Sequence, residues 1–104
     1  MKLGTEELER VARFFRAFSE PTRLALLQEL KSGPKSVGEL VEATETTQAN
    51  VSKQLKMLYE TGLLSRKKLG NLSIYAISEP VVLEFCRLAC EQLNARPKER
   101  KLRF

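Results

Sequence analysis

Apolar residues recur at helical spacing from Thr5 to Phe18, where Leu8, Val11, Ala12, Phe15 and Phe18 are separated by Glu6, Glu7, Arg10, Arg13 and Arg16. The pattern predicts an amphipathic helix. Phe14 widens its apolar stripe beyond what a small core needs, so part of the helix is expected to face a partner chain. A second helix is punctuated at both ends: Ser19-Glu20-Pro21 supplies a cap and an early proline, Leu24, Leu27 and Leu30 an apolar face, and Gly33-Pro34 a stop. Ser36-Val37-Gly38-Glu39 has capping-box spacing and opens a short third helix with Val37, Leu40 and Val41 inward. The polar run Thr44 to Thr47 then offers threonine caps for a fourth helix, on which Val51, Leu55 and Leu58 form a narrow stripe ending at Gly62.

Beyond Gly62 the period changes from helical to alternating. Leu64–Leu69 and Leu72–Ile77 flank Gly70-Asn71, a two-residue loop of the kind that closes a tight hairpin. The last helix opens at Ser78-Glu79-Pro80 and runs to about Asn94. It carries Val82, Cys86, Ala89, Cys90 and Leu93 on one face and Val81, Phe85 and Leu88 on a neighbouring one, an arc too wide for a surface helix. The fold class is therefore mainly α, a helix-turn-helix with a wing: five helices and a two-stranded β-hairpin in the order ααααββα. Residues 1–94 are expected to form the binding and dimerisation domain, and 95–104, charged and containing Pro97, a basic tail that frays.

Composition narrows the class without naming it. A chain of 104 residues has room for one core, and 42% hydrophobic and 30% charged residues are ordinary for a globular domain. No apolar run reaches the ~18 residues of a membrane span, and the polar N-terminus does not read as a signal peptide, so the cytoplasm is the expected location. Two cysteines, four apart in one helix, do not make a secreted disulfide scaffold. With no histidine, no paired catalytic carboxylates and no phosphate-cradling glycine loop, an enzyme is not expected.

Charge changes the picture once it is located. The net +5 is concentrated in residues 46–72, with five basic side chains and one acidic, and in 95–104, with the same counts. A central basic segment is the footprint of a phosphate-contacting element. On the fourth helix Ala49, Ser52, Lys53, Lys56 and Glu60 point away from the apolar stripe, and Gln48 and Asn50 flank them near the N-terminal end, behind the cap residue Thr47. Gln and Asn can make bidentate contacts to adenine, Ser can bond either partner, and Lys reaches phosphates. Arg66-Lys67-Lys68 and the loop residue Asn71 would meet the flanking DNA backbone. Taken singly, a lysine-bearing helix face is a solvated face and a basic run a solubility device. The order helix, turn, polar-faced helix, basic hairpin is what turns them into a DNA-binding surface. The rivals are a winged-helix protein-interaction module, which would carry an exposed apolar patch on the fourth helix or the wing, and an effector-independent DNA binder.

Residues 17–72 resemble the core of the ArsR family of bacterial repressors. The resemblance rests on the Ser-x-Pro-Thr-Arg opening of the second helix, the Gln-x-x-Val-Ser-x-x-Leu-x-x-Leu of the fourth, Gly-Leu-Leu before the wing, and the basic hairpin. It implies a homodimer through the first and last helices, a double-stranded operator with two half-sites, and repression relieved by a small inducer. By position, Gln48, Asn50, Ser52 and Lys53 would face bases or nearby phosphates, and Arg66, Lys67 and Lys68 would be wing contacts. The expected dimer residues are Leu8, Val11, Phe14, Phe15, Val82, Phe85, Cys86, Ala89 and Leu93. Metal-sensing members use a Cys-x-Cys pair on the third helix or a His/Asp cluster on the last, and neither is present here. Cys86 and Cys90 remain as candidates for thiol sensing of a soft metal, a metalloid or an oxidant. Side chains at i and i+4 stand about 5–6 Å apart at Cβ, too far for an unstrained disulfide yet near enough for two thiolates to share one soft ion. Plain packing of two small apolar side chains is the alternative.

Overall fold

The computed structural model describes residues 2–95 and 101–104. Five helices and three strands follow in the order α1 (Thr5–Arg16), α2 (Pro21–Leu30), β1 (Lys35–Ser36), α3 (Val37–Ala43), α4 (Gln48–Glu60), β2 (Leu64–Leu69), β3 (Leu72–Ile77) and α5 (Val81–Asn94). The expected helix-turn-helix and hairpin are present, with one addition. Lys35 and Ser36 pair with Tyr75 and Ile74, so the two-stranded wing becomes an antiparallel sheet of order β1-β3-β2. Two residues before a capping box carry no alternation of their own, which is why the sequence pattern does not reveal this strand.

Local chemistry sets the boundaries. Ser36 Oγ accepts from the Glu39 N–H at 3.1 Å while Glu39 Oε1 accepts from the Ser36 N–H at 2.9 Å, closing the predicted capping box on α3. Thr47 Oγ1 accepts from the Asn50 N–H at 3.1 Å and starts α4. In the hairpin only Gly70 has positive φ, +60°, the requirement of a II′-type loop with glycine first. The first helix ends at Arg16 rather than Phe18, because the chain turns at 17–19 to present Pro21 at the start of α2.

The core lies under the helix-turn-helix: Leu26, Leu27 and Leu30 of α2, Leu40 of α3, and Val51, Leu55 and Leu58 of α4 are fully or almost fully buried. Tyr75 and Leu64 of the sheet close it on one side and Val82 and Cys86 of α5 on another. α4 thus packs on α2, α3 and β2 with its apolar stripe and leaves its opposite face free. By contrast, α1 has no buried residue; it touches the body through an aromatic cluster in which Phe14 meets Phe85 at 5.4 Å and Phe18 at 5.5 Å.

The expected fraying of 95–104 is corrected for its last four residues; 96–100 lie outside the described residues. Phe104 packs partly against the core, Lys31 Nζ donates to its carbonyl at 2.7 Å, and the Asn94 side chain donates to Leu102 O at 2.7 Å. An aromatic ring and a leucine in a charged segment explain the return to the body.

Candidate nucleic-acid interface

Val51, Leu55 and Leu58 are fully buried, so the helical period forces Gln48, Ala49, Ser52, Lys53 and Lys56 outward, and all five are exposed. Small and hydrogen-bonding side chains occupy the first turns and cations the later ones. Thr47 is exposed but its hydroxyl oxygen is taken by the cap.

Asn50 departs from its expected role. It is half-buried, its Nδ2 donates to Thr46 Oγ1 at 3.0 Å, and its Oδ1 accepts from Gln54 Nε2 at 3.0 Å. A bidentate contact to adenine would have to use the second N–H and the second lone pair of that amide, in the orientation that the two internal bonds impose. Gln54, which sequence reasoning passed over, is only 8% exposed, and its Oε1 accepts from Arg23 Nη1 at 2.7 Å. The available signal was a polar residue inside the apolar stripe, three after Val51 and four before Leu58.

The wing is fastened to α4 by Arg66, whose guanidinium carbon stands 4.3 Å from the centroid of the Tyr59 ring. Hydrogen bonding with the Tyr75 side chain pushes the Arg66 pKa up further, so its charge is permanent. Register splits the basic triplet. Arg66 pairs with Tyr75 and Lys68 with Ser73, whereas Lys67 pairs with Ile74, so Lys67 faces the opposite side of the sheet from the other two. Asn71 is exposed at the tip, beside Leu69 and Leu72, each 55% exposed. This pair of leucines is the apolar feature expected of a protein-interaction module, but it is two residues wide and the face of α4 beside it is polar.

The expected interface residues divide into two groups. Leu8, Val11 and Phe15 of α1 and Ala89 and Leu93 of α5 are exposed, while Phe14 and Phe85 are half-buried against each other. Val82 and Cys86 belong instead to the subunit's own core, at 2% and 4% exposure, and are corrected on that ground. Cys90 is half-buried next to Cys86, and both line an apolar cavity of about 300 Å³ with Phe15, Phe18, Phe85 and Phe104. Burial, and secondarily the neighbouring Cys90, pushes the Cys86 thiol up to about 11. Among the described residues no group of three His, Cys, Asp or Glu side chains could hold a metal, and no helix is long and apolar enough to cross a membrane.

A buried α2–α3–α4 core, a solvent-facing polar helix and a basic hairpin stacked onto its end define a winged helix-turn-helix DNA-binding regulator. Comparison with known proteins agrees. The family described as "Bacterial regulatory protein, arsR family" matches residues 20–66. A probable mercury resistance operon repressor of Streptomyces lividans is 37% identical over 81 residues, 78% of this chain and 65% of that protein. The transcriptional regulator NmtR of Mycobacterium tuberculosis is 32% identical over 82 residues, 79% of this chain and 68% of NmtR. The solution structure of a homodimeric winged helix-turn-helix DNA-binding domain from Mycobacterium bovis superimposes with a TM-score of 0.75 at 26% identity, covering 89% of this chain and 90% of that one. The chain belongs to the ArsR family of transcriptional regulators, and is not an enzyme.

Proposed function

We propose that the protein is a homodimeric repressor that binds a two-half-site operator through α4 and the wing. One observation carries the reading: the side of α4 opposite a fully buried stripe is polar and solvent-facing, and Arg66 stacks on Tyr59 to hold the basic hairpin beside it. Gln48, Ala49, Ser52 and Lys53 enter the major groove. Lys56, Arg66 and Lys68 neutralise phosphates, and Lys67 and Asn71 reach the backbone from the other side and tip of the wing. Dimerisation through α1 and α5 is supported by the unburied apolar stripe Leu8, Val11 and Phe15 and by the homodimeric relative. A dimer engages both half-sites at once and so makes a small reading surface sufficient.

The inducer that suits Cys86 and Cys90 is a soft ion needing two thiolates. The absence of a third ligand among the described residues does not fit a four-coordinate zinc-type site, whereas two thiols one turn apart fit a two-coordinate thiophile. A thiol held protonated and buried is a slow nucleophile, so oxidant sensing has less support. The name of the Streptomyces lividans relative, a mercury resistance repressor, points the same way. Cys86 and Cys90 would hold such an ion as thiolates, their protons passing to solvent, and a charge placed at α5 would bias the dimer's affinity for its operator.

The test is affinity for the protein's own upstream DNA and for random DNA across a salt series, with and without mercury(II). Preference for the upstream DNA, a linear log–log salt dependence and release by the metal support the proposal. Equal affinity for both DNAs makes it an architectural binder, and no binding supports the protein-interaction module. Release that persists in Cys86→Ser/Cys90→Ser rules out the thiol site.

A further inference from the structure

The side chain of Arg23 spans two helices. Its Nε donates to Ala17 O at 3.0 Å and its Nη2 to Arg16 O at 2.8 Å, which also accepts from Ser19, so the guanidinium is anchored on the carbonyls at the end of α1. Its Nη1 donates to Gln54 Oε1 at 2.7 Å, across 31 residues of sequence. Because a guanidinium can only donate, it fixes which end of the Gln54 amide faces it. Gln54 Nε2 must then point to Asn50, whose Oδ1 accepts at 3.0 Å, and Asn50 Nδ2 is left to donate to Thr46 Oγ1 at 3.0 Å. One cation thereby sets the orientation of two amides in series, ending in the turn that enters α4. Gln54 is only 8% exposed and both ends of its amide are engaged within the protein.

We propose that Arg23 and Gln54 are positioning residues for operator recognition, fixing the first turns of α4 against the C-terminal end of α1. The inference rests on α4 being the DNA-reading helix. The buried stripe of Val51, Leu55 and Leu58 sets which side of α4 faces out, and a relay of directional bonds at its first turns narrows the remaining rotation about the helix axis. The outward angles of Gln48 and Ser52 depend on that rotation, whereas attraction of Lys56, Arg66 and Lys68 to phosphates hardly does. Breaking the relay should therefore cost specificity and leave non-specific affinity in place.

The test compares Gln54→Met, which keeps volume and removes both hydrogen bonds of the Gln54 amide, with the wild type on upstream and random DNA at one salt concentration. Affinity for upstream DNA is expected to fall about tenfold, the discrimination carried by one good base contact, while random-DNA affinity and the salt slope stay within about twofold. Thr46→Val, which cuts the relay at its far end outside the core, should move the same ratio in the same direction and decides the matter if Gln54→Met does not fold. Retention of the wild-type ratio in Thr46→Val and in folded Gln54→Met overturns the relay while leaving DNA binding intact. Wild-type protein that shows no preference for upstream DNA overturns the DNA reading itself, and the inference with it.

Discussion

Arg66 on β2 lies face-on over Tyr59 near the end of α4, with 4.3 Å between the guanidinium carbon and the ring centroid. The contact joins the reading helix to the wing. Tyr59 is exposed and contributes little to the core, so its replacement tests geometry rather than folding. Tyr59→Leu should lower the melting temperature by a few degrees, as expected for loss of one exposed cation–π pair, and weaken binding to upstream and random DNA together, by about two- to fivefold, as the wing loses its fixed place beside α4. Fluorescence anisotropy on both DNAs measures it. Unchanged affinity would mean that the hairpin holds its place without the stack.

The cysteines should differ in accessibility and in pH behaviour. Burial and the neighbouring Cys90 hold the Cys86 pKa at about 11, so the thiol is neutral at physiological pH. Iodoacetamide at pH 7.5 is expected to label Cys90 first and Cys86 only as the protein unfolds, which peptide mass spectrometry reads directly. The sign for stability follows from the same shift. Folding favours the protonated thiol, so its contribution is full below the ordinary value of 9.0 and is lost as pH rises toward about 11. Urea midpoints at pH 8 and pH 10.5 should fall less in Cys86→Val than in the wild type. Equal falls would show that Cys86 is not protected.

Much of this was legible in the residues, and the misses share a cause. The α2–turn–α4 region could be placed because Gly33-Pro34, the Ser36 box and Gly62 mark its ends and the Val51, Leu55, Leu58 stripe fixes which way α4 faces. The hairpin was placed to the residue, since Gly70-Asn71 leaves little freedom of register. Hidden instead were relationships between residues far apart in sequence. Arg23 to Gln54, Lys35 to Tyr75 and Phe104 to the core depend on tertiary proximity, and no local period encodes it. For the same reason Asn50 read as a base contact: its type suits adenine, and only Gln54 and Thr46 on either side reveal that its amide is engaged. Val82 and Cys86 read as interface because a wide apolar arc cannot tell the subunit's own core from a partner.

Ser36 serves two structures, capping α3 through its hydroxyl and pairing with Ile74 through its backbone. Ser36→Ala should destabilise the fold by about 1 kcal/mol, lowering the melting temperature by roughly 4–8 °C in a domain of this size. The partner carboxylate adds a pH signature. Hydrogen bonds from Ser36 hold the Glu39 pKa below its ordinary 4.5, so its contribution is present above that value and disappears as pH falls below it. The main bond comes from the Ser36 backbone N–H and survives in Ser36→Ala, so the signature is read in Glu39→Gln, whose gap from the wild type in scanning calorimetry should be smaller at pH 3.5 than at pH 7. A gap of the same size would mean that the Glu39 carboxylate takes no part in the cap.

The exposed stripe of α1 makes the most direct claim about assembly. A helix of twelve residues with none buried is marginal in water on propensity alone, and Leu8, Val11 and Phe15 stand on one side of it with Phe15 55% exposed. If a second subunit covers them, a charge there is expensive only in the dimer. Phe15→Glu should therefore convert the protein to monomer at micromolar concentration while far-ultraviolet circular dichroism retains the helical signal of α2 to α5. Operator affinity should fall by a factor of about 100 or more, as two linked half-sites become separate encounters, and random DNA should lose far less. Sedimentation velocity distinguishes the outcomes. A variant that sediments as a dimer would remove α1 from the interface and leave the exposed α5 residues Ala89 and Leu93 as the surface to test next.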